Sequence, residues 1–314
     1  MRRQASKTSA RLVTALVSVG LVACGPVSTT SPSPEGPSYP VTIHEANGST
    51  VTINQQPRRI VSLSPTATEL LYAIGAGPQV IAVDDQSNYP SGVPTTKLSG
   101  FTPNVEAIAG YTPDLVVASD DTAGLVHGLD VLSIPALIQP AARDVDDTYV
   151  QIQQLGAVTG HTQEAGALIG RMRSQIAAIV ATVSKPTKQI TVYHELDDTY
   201  FSATSKTFIG QAYALLGVRN IADGATAATS DYPQLSAEYI VASNPDLIVL
   251  ADTKCCHQNV QTVGARPGWG SIAAVKSGEV VNVDDDIASR WGPRIVDFLK
   301  AVAPHVRELE LQTA

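Results

Sequence analysis

A twelve-residue pattern occurs twice in this chain and constrains its fold more than any other feature. Residues 106–117 open on Glu106 and run through Pro113-Asp114-Leu115. Residues 238–249 open on Glu238 and run through Pro245-Asp246-Leu247. In each copy a glutamate opens a short amphipathic segment, a proline seven residues later ends it, and a run of buried-type aliphatic residues follows. Such a duplicated helix–turn–strand unit predicts two related lobes. Short apolar runs recur around it, at Ile60 to Leu63, Val80 to Val83, Leu115 to Ala118 and Ala136 to Ile138, then at Ile190 to Tyr193, Leu247 to Leu250 and Val280 to Val283. Strands buried on both faces, alternating with amphipathic stretches, give an α/β fold of two Rossmann-like lobes with parallel sheets.

Between the two series lies a stretch with helical periodicity and no proline, Asp144 to Val158 and Thr162 to Val183, interrupted at Gly160-His161. Thr162 can cap the second part, and Glu164 suits its first turn. Twenty-two residues of helix extend about 33 Å, so two lobes joined by one long helix, with a ligand cleft between them, is the simplest arrangement. The domain opens with Val41 to His44 and Thr50 to Ile53 flanking Asn47-Gly48, a strong hairpin signal.

The N-terminus places the protein. Arg2, Arg3, Lys7 and Arg11 precede an apolar stretch, Leu12 to Ala23, that ends directly before Cys24. This is an export signal, too short to span a bilayer as a helix, and its end resembles the lipobox of bacterial lipoproteins. That resemblance implies acylation of Cys24. Residues 25–40 hold five Pro, four Ser and two Thr with one charge, Glu35, the composition of a disordered tether. Removing the four basic residues of the signal takes the formal net charge from −8 to −12. An acidic balance of this size argues against nucleic acid as a partner. The expected layout is a signal peptide at 1–23, a tether at 24–40, an N-terminal lobe at 41–143, an interlobe helix at 144–184 and a C-terminal lobe at 185–314.

Several pieces together resemble the class III substrate-binding proteins of ABC importers, the group carrying cobalamin, ferric siderophores and haem. They are Arg59 to Pro65 with Thr68-Glu69-Leu70, Ser87-Asn88-Tyr89-Pro90, the two glutamate repeats, and Arg290 to Ile295. The Ser-Pro, Thr-Glu-Leu and Tyr-Pro pieces are most similar to the cobalamin-binding members, although Gln86 and Ser119 replace aromatic residues there. The resemblance implies a monomer that binds a small-molecule chelate, small closing movements, and an ABC permease dimer with its ATPase as partner. It further implies that Glu106 and Glu238 dock onto the permease.

Ligands of doubly wound sheets sit outside the carboxyl ends of the strands. That rule selects the loops 64–68, 84–89, 119–122, 194–205, 252–257 and 284–291. The expected ligand contacts in or beside them are Ser64, Pro65, Asp85, Gln86, Tyr89, Phe101, Asp120, Tyr200, Phe201, Tyr232, Asp286 and Trp291. Aromatic residues concentrate here, with Tyr193 and Trp269 also close by in sequence, and aromatic faces suit a flat macrocycle. The loops are also acidic, and Lys206, Lys254 and Arg290 are their few cations. Some of these aspartates are expected as turn formers and helix caps. The rest would repel a polyanion, so a neutral or cationic chelate fits best, cobalamin or a hydroxamate.

Adjacent Cys255 and Cys256 leave three readings open: a disulfide, free thiols, or part of a metal site with His257. Neighbouring Cα atoms are ~3.8 Å apart, below the usual disulfide range. Direct capture of free Zn²⁺ or Mn²⁺ needs about three converging ligands, and only His194 and His257 lie in the right loops. A redox or surface enzyme using the cysteine pair is a further alternative. The chain shows no nucleophile elbow, phosphate loop or zinc-protease motif, so neither an enzyme nor a resident cofactor is expected.

Overall fold

Apolar runs of three to six residues between polar loops are buried most completely in a parallel sheet covered on both faces, and the chain disposes of them in this way twice. The structure, a computed structural model, describes residues 38–46, 48–183, 188–225 and 230–313. The signal segment, Cys24, the tether up to residue 37 and Asn47 lie outside the described residues.

A hairpin of β1 (Val41–His44) and β2 (Thr50–Ile53) opens the fold, paired antiparallel with Val41 opposite Ile53. In the N-terminal lobe, β3 (Ile60–Leu63), α1 (Pro65–Ala73), β4 (Val80–Val83), α2 (Val105–Ala109), β5 (Leu115–Ala118), α3 (Leu125–Val131) and β6 (Ala136–Ile138) alternate. Two helices follow, α4 (Val145–Thr159) and α5 (Thr162–Val180). The C-terminal lobe begins with β7 (Ile190–Glu195), α6 (Phe208–Leu215), β8 (Val218–Asn220), α7 (Ala237–Ser243) and β9 (Leu247–Leu250). It continues with α8 (Val260–Gly264), α9 (Ala273–Ser277), β10 (Val280–Asn282), α10 (Asp285–Ser289) and α11 (Ile295–Thr313). The sheets are parallel, with orders β4-β3-β5-β6 and β10-β9-β7-β8. Counting strands within each lobe, both orders are the same 2-1-3-4 arrangement read from opposite edges.

The sequence repeat is therefore a backbone repeat, and its Pro-Asp has a structural task. Asp114 accepts from the backbone N–H groups of Arg58 and Arg59, both at 2.8 Å. Asp246 accepts from Thr191 N and Thr191 Oγ1, both at 2.9 Å. Each aspartate thus ties the start of its lobe's third strand to the start of the first. The residues before the prolines, Thr112 and Asn244, share a left-handed conformation (φ 48° and 46°).

Side chains alternate between two faces along each strand. Leu115 and Val117 of β5, and Leu247 and Val249 of β9, enter one core common to both lobes. Val116 and Ala118 face an outer N-lobe core with Ile108, Leu125 and Leu129. Ile248 and Leu250 face an outer C-lobe core with Ile240, Val263 and Trp269. The common core also takes Leu70 and Leu71 from α1, Ile152 and Leu155 from α4, Met172 from α5, Tyr213 from α6, and Phe298 and Leu299 from α11. Each such aliphatic side chain contributes about 1.5–3 kcal/mol on burial. Because the cluster crosses from lobe to lobe, a large opening movement would have to expose it.

Three expectations are refined. The interlobe segment is a pair of helices, of which α5 is the long one. Gly160 ends α4 at φ 86°, where any other residue pays a steric cost, and α5 returns alongside. Tyr149 near the start of α4 accordingly meets Arg173 late in α5, the guanidinium 4.7 Å from the ring centre. Tyr39, expected in the disordered tether, is half-buried against the common core, its hydroxyl donating to Val158 O at 2.8 Å. Finally, β7 runs on to Glu195, and β8 and α11 appear where no element was read.

Candidate functional site

Helix α1 and the loop after β4 of the N-terminal lobe meet the segment after β10 of the C-terminal lobe through a cluster of charged groups. Glu69 of α1 is 2% exposed, yet its carboxylate takes Arg290 Nη1 at 2.7 Å and Arg294 Nε at 2.9 Å. Arg290 Nη2 also reaches Asp286 Oδ1 at 2.7 Å, and Lys254 Nζ lies 2.7 Å from Asp284 and 2.8 Å from Asp286. Three cations and three carboxylates therefore balance in this cluster. Glu69, Arg290 and Arg294 are nearly buried, so removing the glutamate would leave buried charge uncompensated.

Among the described residues four aromatic rings are exposed: Phe101 (77%), Tyr89 (46%), Tyr232 (43%) and Phe201 (37%). All four were expected ligand contacts, and each lobe supplies two. Gly100 lets the segment before Phe101 press against the end of β3, since a Cβ there would lie 2.3 Å from Leu63 O. Tyr232 is brought beside Phe201 because Ser202 N and Thr204 N donate to Pro233 O and Asp231 O, both at 2.9 Å. Tyr200 holds φ at 72°, unusual for a bulky residue, in a turn closed by its N–H to Asp197 O at 3.1 Å. Such outliers persist where the surroundings impose them and cluster at binding sites. Exposed rings of this size are candidates for contact with a ligand.

The acidic loops divide as expected. Asp84, Asp121, Asp197, Asp284 and Asp285 spend their oxygens on backbone N–H groups of Ser87, Val126, Thr199, Asp286 and Lys254. Burial raises the Asp84 carboxyl above its ordinary range. Asp85, Asp120 and Asp198 stay exposed without an ion pair among the described residues; Asp85 takes only Gln86 Nε2, at 3.3 Å. The loop cations are committed, Lys254 and Arg290 in the charged cluster and Lys206 to Asp231 at 3.9 Å. The exposed side chains of these loops thus include aromatic rings and unpaired carboxylates.

Several expected contacts have other work. Ser64, 2% exposed, caps α1 by accepting from Ala67 N at 3.3 Å, and Pro65 is the first residue of that helix. Trp291 lies against the common core, its indole donating to Gln151 Oε1 at 3.1 Å and its carbonyl accepting from Thr148 Oγ1 at 3.0 Å. Asp286 belongs to the charged cluster. Tyr200 is half-buried, packed on Trp269 with centroids 5.8 Å apart. Tyr193 and Trp269 are fully buried. Glu69, Asn88 and Arg294 were read only as parts of a motif; the signal was a glutamate on an apolar helix facing an Arg290/Arg294 pair at i, i+4.

Two deeper features adjoin these loops. Cys255 and Cys256 are joined as a disulfide between neighbours, in a loop anchored by Cys256 N to Asp252 O at 3.2 Å and by Cys255 N to Asp285 Oδ2 at 3.0 Å. Beneath it Arg266 binds Glu195 at 2.5 and 2.7 Å and lies over Trp269. Asp252 is fully buried beside this pair, and neither of its oxygens finds a donor among the described residues. Burial foremost, then the Glu195 charge, pushes its carboxyl up to about 8. His194 is not cleft lining. It is wholly buried, its Nδ1 2.8 Å from Tyr213 Oη, and burial lowers its pKa to about 3. That removes one of the two histidines considered for free-metal capture, and no group of three His, Cys, Asp or Glu among the described residues is placed to hold a metal ion.

Residues 60–287 match the family described as periplasmic binding protein. The chain belongs to that family. An uncharacterised ABC transporter substrate-binding lipoprotein of Bacillus subtilis is 31% identical over 277 residues, covering 85% of this chain and 86% of the relative. A cobalamin-binding protein of Halobacterium salinarum is 31% identical over 301 residues, covering 93% of this chain and 80% of the relative. The crystal structure of the periplasmic vitamin B12 binding protein of Vibrio cholerae superposes with a TM-score of 0.68 at 21% identity, over 82% of this chain and 98% of that one. Its fold, two α/β lobes with parallel sheets, is the fold of this chain. The protein is an extracytoplasmic substrate-binding component of the ABC-importer type.

Proposed function

We propose that this protein captures a neutral or cationic metal chelate, a corrinoid or a ferric hydroxamate, between its lobes and delivers it to an ABC permease. The observation that carries this reading is the set of four exposed rings, two per lobe, in or beside loops whose cations Lys206, Lys254 and Arg290 each have a carboxylate partner. Flat apolar faces are held by aromatic contact. The free carboxylates Asp85 and Asp120 can accept hydrogen bonds from amide or hydroxyl donors on the ligand and repel anionic chelates. Binding is recognition alone, with no covalent step. The relatives named for cobalamin and vitamin B12 support the corrinoid class. Quenching of intrinsic fluorescence in the soluble domain separates the classes: cyanocobalamin or ferrioxamine should quench in a saturable way, while a trianionic ferric catecholate and Zn²⁺ should not. Saturable quenching by the catecholate alone, or by none of these, would overturn the assignment.

In this reading the protein acts as a monomer tethered through acylated Cys24, since several acyl chains on one residue hold a soluble domain at a membrane. Cys24→Ala should appear in the medium or remain unprocessed; a mature variant still bound to membranes would exclude that anchor. Glu106 and Glu238 dock onto the permease. Both are exposed at the second position of short helices, α2 capped by Asn104 and α7 capped by Ser236. One carboxylate per lobe, at equivalent places in two copies of one unit, suits a partner with two-fold symmetry.

A further inference from the structure

We infer that Arg290 and Arg294 are positioning residues for the ligand site, two guanidiniums of the C-terminal lobe that hold the N-lobe loop carrying Gln86 and Tyr89. The inference rests on the reading above only where it calls that loop a ligand contact; that the loop is held is a separate matter.

Arg290 spreads four contacts over both lobes. Nη1 donates to Glu69 Oε1 at 2.7 Å and to Asn88 Oδ1 at 2.9 Å. Nη2 donates to Asp286 Oδ1 at 2.7 Å and to Gln86 O at 3.2 Å. Two of these four acceptors belong to the loop after β4, about two hundred residues away in sequence. Asn88 answers with its own amide, donating to Asp286 Oδ2 at 3.0 Å. Arg294, anchored on Glu69, lies over the Tyr89 ring with its guanidinium carbon 4.3 Å from the centroid. Tyr89 is 46% exposed, so this stacking supports a ring that water would otherwise leave free to turn. Gln86 through its carbonyl, Asn88 through its amide and Tyr89 through its ring are therefore each referred to the opposite lobe. The planar, multidentate geometry is one that lysine cannot reproduce. This clamp places the Tyr89 loop before any ligand arrives, so little ordering cost remains there at binding.

A merely structural ion pair would stabilise the fold without setting this loop, and hydrogen–deuterium exchange on the ligand-free protein tells the two apart. Asn88→Ala removes that side chain's contacts with Arg290 and Asp286 and leaves Glu69 paired with both arginines. Arg290→Lys keeps the charge and loses the fork. In both variants the amides of residues 85–89 should exchange about tenfold faster, the size expected for one lost hydrogen bond to a charged group. Protection in β3, β5 and β9 should not change. Affinity for cyanocobalamin or ferrioxamine, whichever the wild type binds, should fall by a similar factor in Asn88→Ala without loss of melting temperature. Unchanged exchange at 85–89 in Asn88→Ala overturns the inference, even if Arg290→Lys fails to fold. Faster exchange with undiminished affinity overturns it as well. A wild type that binds neither probe refutes the chelate reading, while the exchange result still decides whether the loop is held.

Discussion

Asp252 carries pH dependence from one buried side chain into the stability of the C-terminal lobe. Its carboxyl titrates near 4 in an unfolded chain, and burial with the Glu195 charge raises it in the fold. The folded protein keeps a proton that the unfolded chain releases. The group's contribution is complete below about pH 4 and is lost as pH rises toward about 8, by on the order of a few kcal/mol. Asp252→Asn, which keeps shape and removes the charge, should be the more stable form at pH 8.5 and nearly equal to the wild type at pH 4.5, read from urea midpoints. Parallel wild-type and variant profiles would show that Asp252 is ionised and compensated. At this scale residue type was a poor guide. Ser64 reads alike as a cap and as a ligand contact, and a tryptophan after a strand can face the cleft or, as with Trp291, the core. Exposure settles such cases, and it depends on which neighbours the tertiary fold supplies. Phe101 and Tyr89 are exposed, in keeping with polar loops that follow a buried strand and offer little apolar cover.

Elements were more legible, because periodicity is a local property. Six of the seven apolar runs became strands at or within one residue of their expected ends, and β7 alone gained two residues. The misses have physical causes. The strand β8 has three residues with exposed Arg219 in the middle, so its burial pattern is too short to register. Pro304 inside α11 hides a helix whose apolar face is held by the common core. The helices α2 and α7 support a prediction of their own. Glu106 and Glu238 are exposed in the first turns of these helices, and on the docking reading reversing both to Arg should leave chelate affinity unchanged and abolish cellular uptake. Like charges juxtaposed at an interface cost several kcal/mol. Affinity lost together with uptake would place these glutamates in the cleft, and normal uptake would leave them only the role of favourable charges at helix N-termini.

For the whole molecule, the repeated lobe was legible from one duplicated dozen of residues, and the equal strand orders follow from it. How the lobes are joined was not legible. A core continuous from β5 to β9, an α4–α5 pair and a balanced charge cluster depend on contacts between residues far apart in sequence. Together they make a molecule whose two lobes are braced against each other. The central claim is that one ligand is gripped by both lobes at once, and calorimetric titration of Phe101→Ala and Phe201→Ala with the chelate that quenches the wild type tests it most directly. Both positions are exposed, so folding should be unaffected. Each variant should keep one-to-one binding and lose roughly tenfold or more in affinity, the loss expected for an aromatic anchor. Full affinity in either variant would mean that the ligand is not held between rings of both lobes.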